Sequence, residues 1–308
     1  MKWLYLTLGI SKQSHMQAVR RSQQEQTRRP CYVGLIETVR QMHPSMGLRT
    51  IYEQFAPEGI GRDAFIALGL QEGYRLKTPE NPMKTTIRVK NRRFKNLLTD
   101  YELTNVNQLW VSDLFYYALE GRHFYVVLIM DVYSRRIIGY SMADNMRAEN
   151  NVAALRMALE QRGIGHYNDQ LIHHSDRGVQ YIANEYTEIL DDYHIRISMC
   201  TDVLENAHCE RVNGTIKNDY LKAWNPTTRS QFFLKVPQAV ENYNNRLHQS
   251  LKKTPIQYET YVKELNVTQR PKMKIFTIKQ QGSITKSSCD QKGEQPRQSV
   301  GSPFPDIV

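Results

Sequence analysis

Between Cys31 and about Tyr74 the apolar residues recur at helical spacing: Leu35, Ile36, Val39 and Met42, then Leu48, Ile51, Tyr52 and Phe55, then Phe65, Ile66 and Leu68. Pro44 and Gly47 separate the first two runs, and Pro57, Gly59 and Gly61 separate the second two. Three short helices joined by tight turns fit a helix-turn-helix-like domain over 31–76, or a small helical adaptor of the same size. Residues 1–30 are polar and basic (SKQSHMQAVRRSQQEQTRRP) and are expected to form an N-terminal arm, either helical or loose. Residues 77–100 contain KTPENPMKTTIRVKNRRFK, which has two prolines, many cations and little periodicity, and predict a basic linker.

From residue 101 the period changes. QLWVSDLFYYAL, HFYVVLIMDVY and RIIGYSMAD are rich in β-branched and aromatic residues, and LEGR and SR between them are short enough for hairpins. A helix is expected over Ala148 to Arg162, then the strand QLIHHS, a helix from Asn184 to Tyr193, the strand HIRISM, a helix through ENAHCERVNGTIKNDYL, and another from Arg229 to about Asn244. Three meandering strands followed by alternating helix and strand predict an α/β class: a mixed five-stranded sheet covered by helices, spanning 101–266. The tail over 267–308 is poor in apolar residues and rich in Ser, Gln, Gly and Pro, and is expected to be disordered.

Charge adds a functional hint. The chain of 308 residues carries a net +10, distributed as +9 over 1–100, −6 over 101–222 and +7 over 223–308. An acidic centre between basic flanks fits a metal-binding module held on a polyanion, although ordinary surface charge with a basic tail gives the same count. Cys31, Cys200, Cys209 and Cys289 are scattered without metal or disulfide spacing, as expected in a reducing cytoplasm. No run reaches the ~18 apolar residues of a membrane span, and MKWLYLTLGISKQ lacks the form of an export signal.

Three acids lie in contexts that aim carboxylates at one point: Asp113 in the first long strand, Asp176 ending QLIHHSDRG, and Glu210 early in a helix. Hard oxygen ligands of this kind hold Mg²⁺, and two ions sharing a carboxylate serve in-line displacement at phosphorus. Asp113, from the sheet interior, is the expected bridge. Asp131, before the turn YSRR, reads as a turn-initiating Asp, and Glu205 and Asn206 as helix caps. Glu210, Asn213, Gly214 and Lys217 would share one face of a regular α-helix. A glycine there costs about 1 kcal/mol relative to Ala, which a closely approaching DNA backbone would explain, with Lys217 meeting a phosphate. Asn213, Arg211 and Arg177 beside the acids, and Arg88, Lys90, Arg92 and Arg93 in the linker, are further DNA-binding candidates.

These motifs resemble the second-frame transposases of the insertion-sequence-three group, relatives of retroviral integrases. The carriers are W-x-x-D at Trp110–Asp113, Asp131 followed by YSRRIIGY, HSDRGVQY from His174, and SM…ENAHCERVNGTIK from Ser198 to Lys217. YNNRLHQSLKKTP from Tyr243 and HPSMGLR from His43 resemble the family's closing motif and part of its small helical domain. The resemblance implies a ribonuclease-H-like integrase core and a metal triad of Asp113, Asp176 and Glu210. It also implies Mg²⁺ or Mn²⁺, as two ions, in a bacterial, nucleoid-associated enzyme. Water would cleave DNA at the element's ends, and the freed 3′-hydroxyl would attack another phosphodiester. It implies a homo-oligomer on DNA and a partner from the upstream frame, whose helix-turn-helix and coiled coil are expected to be absent from this chain. The 33 residues between Asp176 and Glu210 are a shorter interval than is common in the family, which points to a trimmed CTDVL loop. The alternatives are a catalytically silent DNA-binding regulator with the same fold and a ribonuclease-H-like nuclease.

Overall fold

Ser11 opens the first helix, α1 (Lys12–Met42), by accepting a hydrogen bond from the Ser14 N–H at 3.0 Å. The computed structural model describes residues 7, 9, 11–76, 94–165, 170–200 and 207–275. α1 starts well before Cys31, where the apolar periodicity begins, and carries Pro30 inside it. The described side chains of its first half are nearly all exposed, so nothing in the hydrophobic pattern marks it. The second half packs Tyr32, Ile36 and Val39 against Ile51 of α2 (Leu48–Phe55) and Phe65 and Leu68 of α3 (Arg62–Gln71).

After β1 (Glu102–Leu103) come β2 (Leu109–Leu119), β3 (Arg122–Asp131) and β4 (Ile137–Ala143). α4 (Ala148–Arg162), β5 (Ile172–Ser175), α5 (Asn184–Asp192) and β6 (Arg196–Met199) follow. The five long strands form one sheet in the order β4-β3-β2-β5-β6, with β2, β3 and β4 antiparallel and β2, β5 and β6 parallel. This is the mixed five-stranded sheet that the sequence predicts.

Successive residues of β2 point to opposite faces. Trp110 packs with Ala154, Leu155, Tyr181 and Tyr186 on the α4 and α5 side. Val111, Phe115 and Tyr117 pack on the other side with Val212 of α6 (Ala207–Gly214) and Phe232 and Val236 of α7 (Arg229–Asn244). Fully burying each large apolar side chain contributes ~1.5–3 kcal/mol. Gly139 lets β4 approach α4 closely, since a Cβ there would meet the Ala154 carbonyl oxygen at 2.3 Å.

Both sheet edges are capped in part, which satisfies some of their open strand groups. At β4, the Asn244 amide imitates a neighbouring strand: Nδ2 donates to the Ile137 carbonyl and Oδ1 accepts from the Ile137 N–H, both at 2.9 Å. At β6, the segment from Phe94 to Leu98 lies alongside, with Leu97 N donating to Ser198 Oγ at 2.9 Å and Met199 N to the Lys95 carbonyl at 3.3 Å. The part of the expected linker from residue 94 onward is therefore packed, because Phe94 and Leu98 supply apolar anchors. Residues 77–93 lie outside the described part.

Beyond α8 (Pro255–Glu264) the expectation of a disordered tail from residue 267 needs correction. β7 (Met273–Lys274) pairs antiparallel with β1, and Ile275 is buried in the core. One short apolar cluster, Met273 and Ile275, is enough to anchor a segment of otherwise polar composition. Residues 276–308 lie outside the described part. No helix among the described residues is long and apolar enough to cross a membrane.

The closing motif ties these parts together. Thr254 and Gln257 form a reciprocal capping box at the start of α8, with Pro255 at the first helical position. From α8, Glu259 accepts from Arg136 at 2.7 Å and from Arg162 at 3.0 Å. Gln54 of α2 bridges to the same region, its Oε1 accepting from Leu247 N at 2.9 Å and its Nε2 donating to the Asn245 carbonyl at 3.2 Å. His43 Nδ1 lies 3.0 Å from Tyr220 Oη. These contacts join the helical module to the sheet's helices.

Candidate active site

Ser112 of β2 stands in register with Ser175, the last residue of β5. The next residue on each chain is an Asp, so the parallel pairing sets Asp113 and Asp176 side by side. Asp113 shares the face of Val111 and Phe115, against which α6 packs, and the first turn of α6 carries Glu210. The apolar residues Cys209, Val212 and Ile216 face the core and fix the rotation of this helix. Glu210 is exposed.

Burial, the charge of Asp176 and that of Glu210 together push the Asp113 carboxyl up to about 7, against two opposing hydrogen bonds. Those bonds come from the Leu114 N–H to Oδ1 at 2.8 Å and from Asn213 Nδ2 to Oδ2 at 2.9 Å. Asp176 is raised by burial, with an opposing hydrogen bond from the Gly178 N–H to Oδ1 at 3.0 Å. The first acid is thus poised near neutrality by burial first and two like charges second, a cost that a cation offsets.

The HSDRG-x-QY residues frame Asp176. His174 Nδ1 lies 2.8 Å from Ser198 Oγ on β6, and burial holds its ring neutral, down to about 4. Arg177 Nε donates to the Cys200 carbonyl at 2.7 Å, tying the residue after Asp176 to the end of β6. Tyr181 Oη lies 3.0 Å from Ser112 Oγ beneath the acids. Asp131, in contrast, is buried in its own turn, Oδ1 accepting from the Ser134 N–H at 2.9 Å and Oδ2 from the Asn107 N–H at 2.6 Å.

Among the described residues no three His, Cys, Asp or Glu side chains already close around one point. The donor set is nevertheless that of a hard cation: carboxylate oxygens, plus the Asn213 Oδ1, which is buried and accepts no hydrogen bond. A divalent ion of the magnesium type fits these residues.

The remaining candidates separate. Asn213 turns inward to Asp113. Arg211 is exposed on α6. Lys217 holds its ammonium 4.3 Å from the Tyr116 ring centroid, a partner on β2 that spacing along the helix does not reveal. After Gly214 the helix widens into a π-helical stretch, Thr215–Leu221, so the regular spacing from Glu210 to Lys217 is not kept. Internal packing does not require a glycine at 214, since a Cβ there would meet nothing nearer than Asn218 Nδ2 at 3.9 Å. Arg88, Lys90, Arg92 and Arg93, and the loop with Glu205 and Asn206, lie outside the described residues. Sequence reading missed Arg135 and His208, whose partnership joins the β3–β4 turn to α6; their only signal was the basic pair in YSRR.

Residues 104–202 match the integrase core domain. The chain is 33% identical over 206 residues to the 31 kDa protein of insertion element IS600 of Shigella sonnei, covering 65% of this chain and 75% of that protein. It is 30% identical over 218 residues to the transposase for insertion sequence element IS629 of Shigella sonnei, covering 66% and 69%. Among solved structures it is similar to the HTLV-2 integrase catalytic core domain in complex with magnesium, at 20% identity and a TM-score of 0.42, covering 50% of this chain and 97% of that one.

Proposed function

This chain belongs to the insertion-sequence transposases built on an integrase core, and we propose that Asp113, Asp176 and Glu210 carry its chemistry on DNA phosphodiesters. The observation that supports this most is the register of β2 and β5, which brings two carboxylates together beside the first turn of α6. The three acids would hold Mg²⁺ or Mn²⁺, as two ions. Bound there, the ions supply charge neutralisation at the phosphoryl oxygens and a lowered pKa for an attacking water or 3′-hydroxyl.

The protein's own share is orientation. Asn213 and the Leu114 N–H fix both oxygens of Asp113, and the Gly178 N–H fixes one of Asp176, leaving the second Asp176 oxygen for the reaction. The transposase cleaves at the element's ends and joins the freed 3′-hydroxyl to a target phosphodiester. It works as a homo-oligomer on paired ends, with the upstream-frame product assisting recognition, in the bacterial cytoplasm.

The test incubates purified chain and upstream product with labelled element-end DNA and Mg²⁺, comparing the wild type with Asp176→Asn. Strand transfer by the wild type alone is expected. Cleavage without joining points to a nuclease, and equal binding with no cutting by either protein points to a DNA-binding regulator.

A further inference from the structure

Where the β3–β4 turn meets the closing segment, three arginines have carboxylate partners and a fourth does not. Arg136 and Arg162 pair with Glu259, and Arg246 pairs with Asp219 at 3.2 Å. Among the described residues no ion pair joins Arg135 to an acid. Its Nη1 donates to His208 Nδ1 and its Nη2 reaches the Met273 sulfur at 3.7 Å. Asp131, the nearest acid in sequence, is committed to the Asn107 and Ser134 N–H groups and to Arg162.

Burial outweighs the favourable charge of Asp131 at the Arg135 guanidinium, which is costly for a cation without an ion-pair partner, and this one is held by a strained backbone. Arg135 adopts φ +62°, a left-handed conformation uncommon outside glycine. Its surroundings are also basic. Arg211 adds a second cation near Arg135 and His208. Burial followed by Arg246 and Arg135 keeps His248 neutral. Because arginine only donates, His208 accepts from it at Nδ1 and carries its proton on Nε2, which offers one further N–H donor.

We propose that Arg135, His208 and Arg211 form a phosphate subsite for a DNA strand, separate from the acids. His208 and Arg211 are spaced i, i+3 on one flank of α6, while Glu210 and Asn213, also i, i+3, occupy the other. The two sites therefore stand about a helix diameter apart, ~10 Å. At ~3.4 Å of rise per nucleotide, that places the held phosphate roughly three nucleotides from the reacting one. Met273, which Arg135 touches, also lines a cleft of about 490 Å³ bordered by Lys253, Tyr261 and Lys272, a lining suited to a nucleic-acid strand rather than a small free anion. The inference rests on the transposase reading.

The test is metal-free binding, in EDTA, of the full chain to a fluorescent element-end duplex over a series of salt concentrations, with a thermal melt of each protein. Arg135→Gln and Arg211→Gln are each expected to weaken binding and to make the salt slope shallower by about 0.9, the loss of one phosphate contact. Arg135→Gln is also expected to melt no lower than the wild type, because the glutamine amide can still donate to His208 while the buried charge is removed. Unchanged slopes in both variants, with wild-type binding intact, overturn the subsite and leave the transposase reading standing. A misfolded or clearly less stable Arg135→Gln overturns it too, since the arginine would then be structural. Failure of the wild type itself to bind DNA defeats the transposase reading instead.

Discussion

Asn213 Nδ2 donates to Asp113 Oδ2 at 2.9 Å, while the Oδ1 of the same amide is buried and accepts nothing. The bond steadies the ionised form of Asp113 against two neighbouring carboxylates, and hydrogen bonds to a charged group are worth ~1.5–3 kcal/mol. Asn213→Ala should therefore leave the fold in place and raise the Mg²⁺ concentration needed for half-maximal strand transfer by roughly ten-fold or more. Titrating Mg²⁺ at fixed pH checks this. An unchanged midpoint would mean that the amide merely fills space.

The raised Asp113 has a consequence for stability. Its folded value of about 7 lies above the ordinary carboxylate value, so the folded state binds the extra proton between the two. Without metal, the Asp113 contribution should weaken as pH rises from about 4 to about 7, by a few kcal/mol at ~1.4 kcal/mol per unit. Melts in EDTA at pH 5 and pH 8 should show the wild type losing stability relative to Asp113→Asn, and Mg²⁺ should restore it at pH 8. Parallel curves for the two proteins would show that the carboxyl titrates normally.

Glu259 behaves in the opposite sense. Burial raises its carboxyl, but the hydrogen bond and charge of Arg162, with hydrogen bonds from Ser134 and Arg136, outweigh that and hold it below the ordinary value. The stability it contributes is present above the unfolded pKa and is lost as pH falls through the folded one. Glu259→Gln leaves Arg162 buried and short of a partner, which costs ~3–5 kcal/mol. Urea unfolding at pH 7 should show that loss, and the gap between variant and wild type should narrow at the acid end. A loss below ~1 kcal/mol would place the pair among weak surface bridges.

The long strands and most helices were legible because burial imposes a period: Trp110 and Val111 must face opposite sides of β2, and alternation records that. The convergence of Asp113 and Asp176 was expected from their contexts, but the β2–β5 pairing that produces it was not. What alternation does not record is pairing by side chains. Asn244 stands in for a strand at β4 and Lys217 lies over Tyr116, although nothing local to either residue marks its partner. The first half of α1 was left undecided between helix and loose arm for another reason: a helix that buries no stripe has no period to show. The π-helical stretch after Gly214 likewise arises from packing, and it displaces a spacing argument that assumed a regular helix.

Lys217 and Tyr116 allow charge and placement to be separated. The ammonium sits 4.3 Å from the ring centroid, and burial lowers its pKa, followed by the nearby charge of Lys222. If Lys217 meets a DNA phosphate, Lys217→Ala should weaken binding and make the salt slope shallower by about 0.9. Tyr116→Leu keeps the cation but removes the ring that holds it, a cation–π contact worth ~0.5–1 kcal/mol at an exposed site. That variant should bind several-fold more weakly at an unchanged slope, mainly through faster dissociation. The measurement is the same salt series for both variants with dissociation followed by stopped flow. A shallower slope for Tyr116→Leu would mean that the ring itself supports the phosphate contact, whereas unchanged behaviour of Lys217→Ala would return the lysine to a surface charge resting on an aromatic ring.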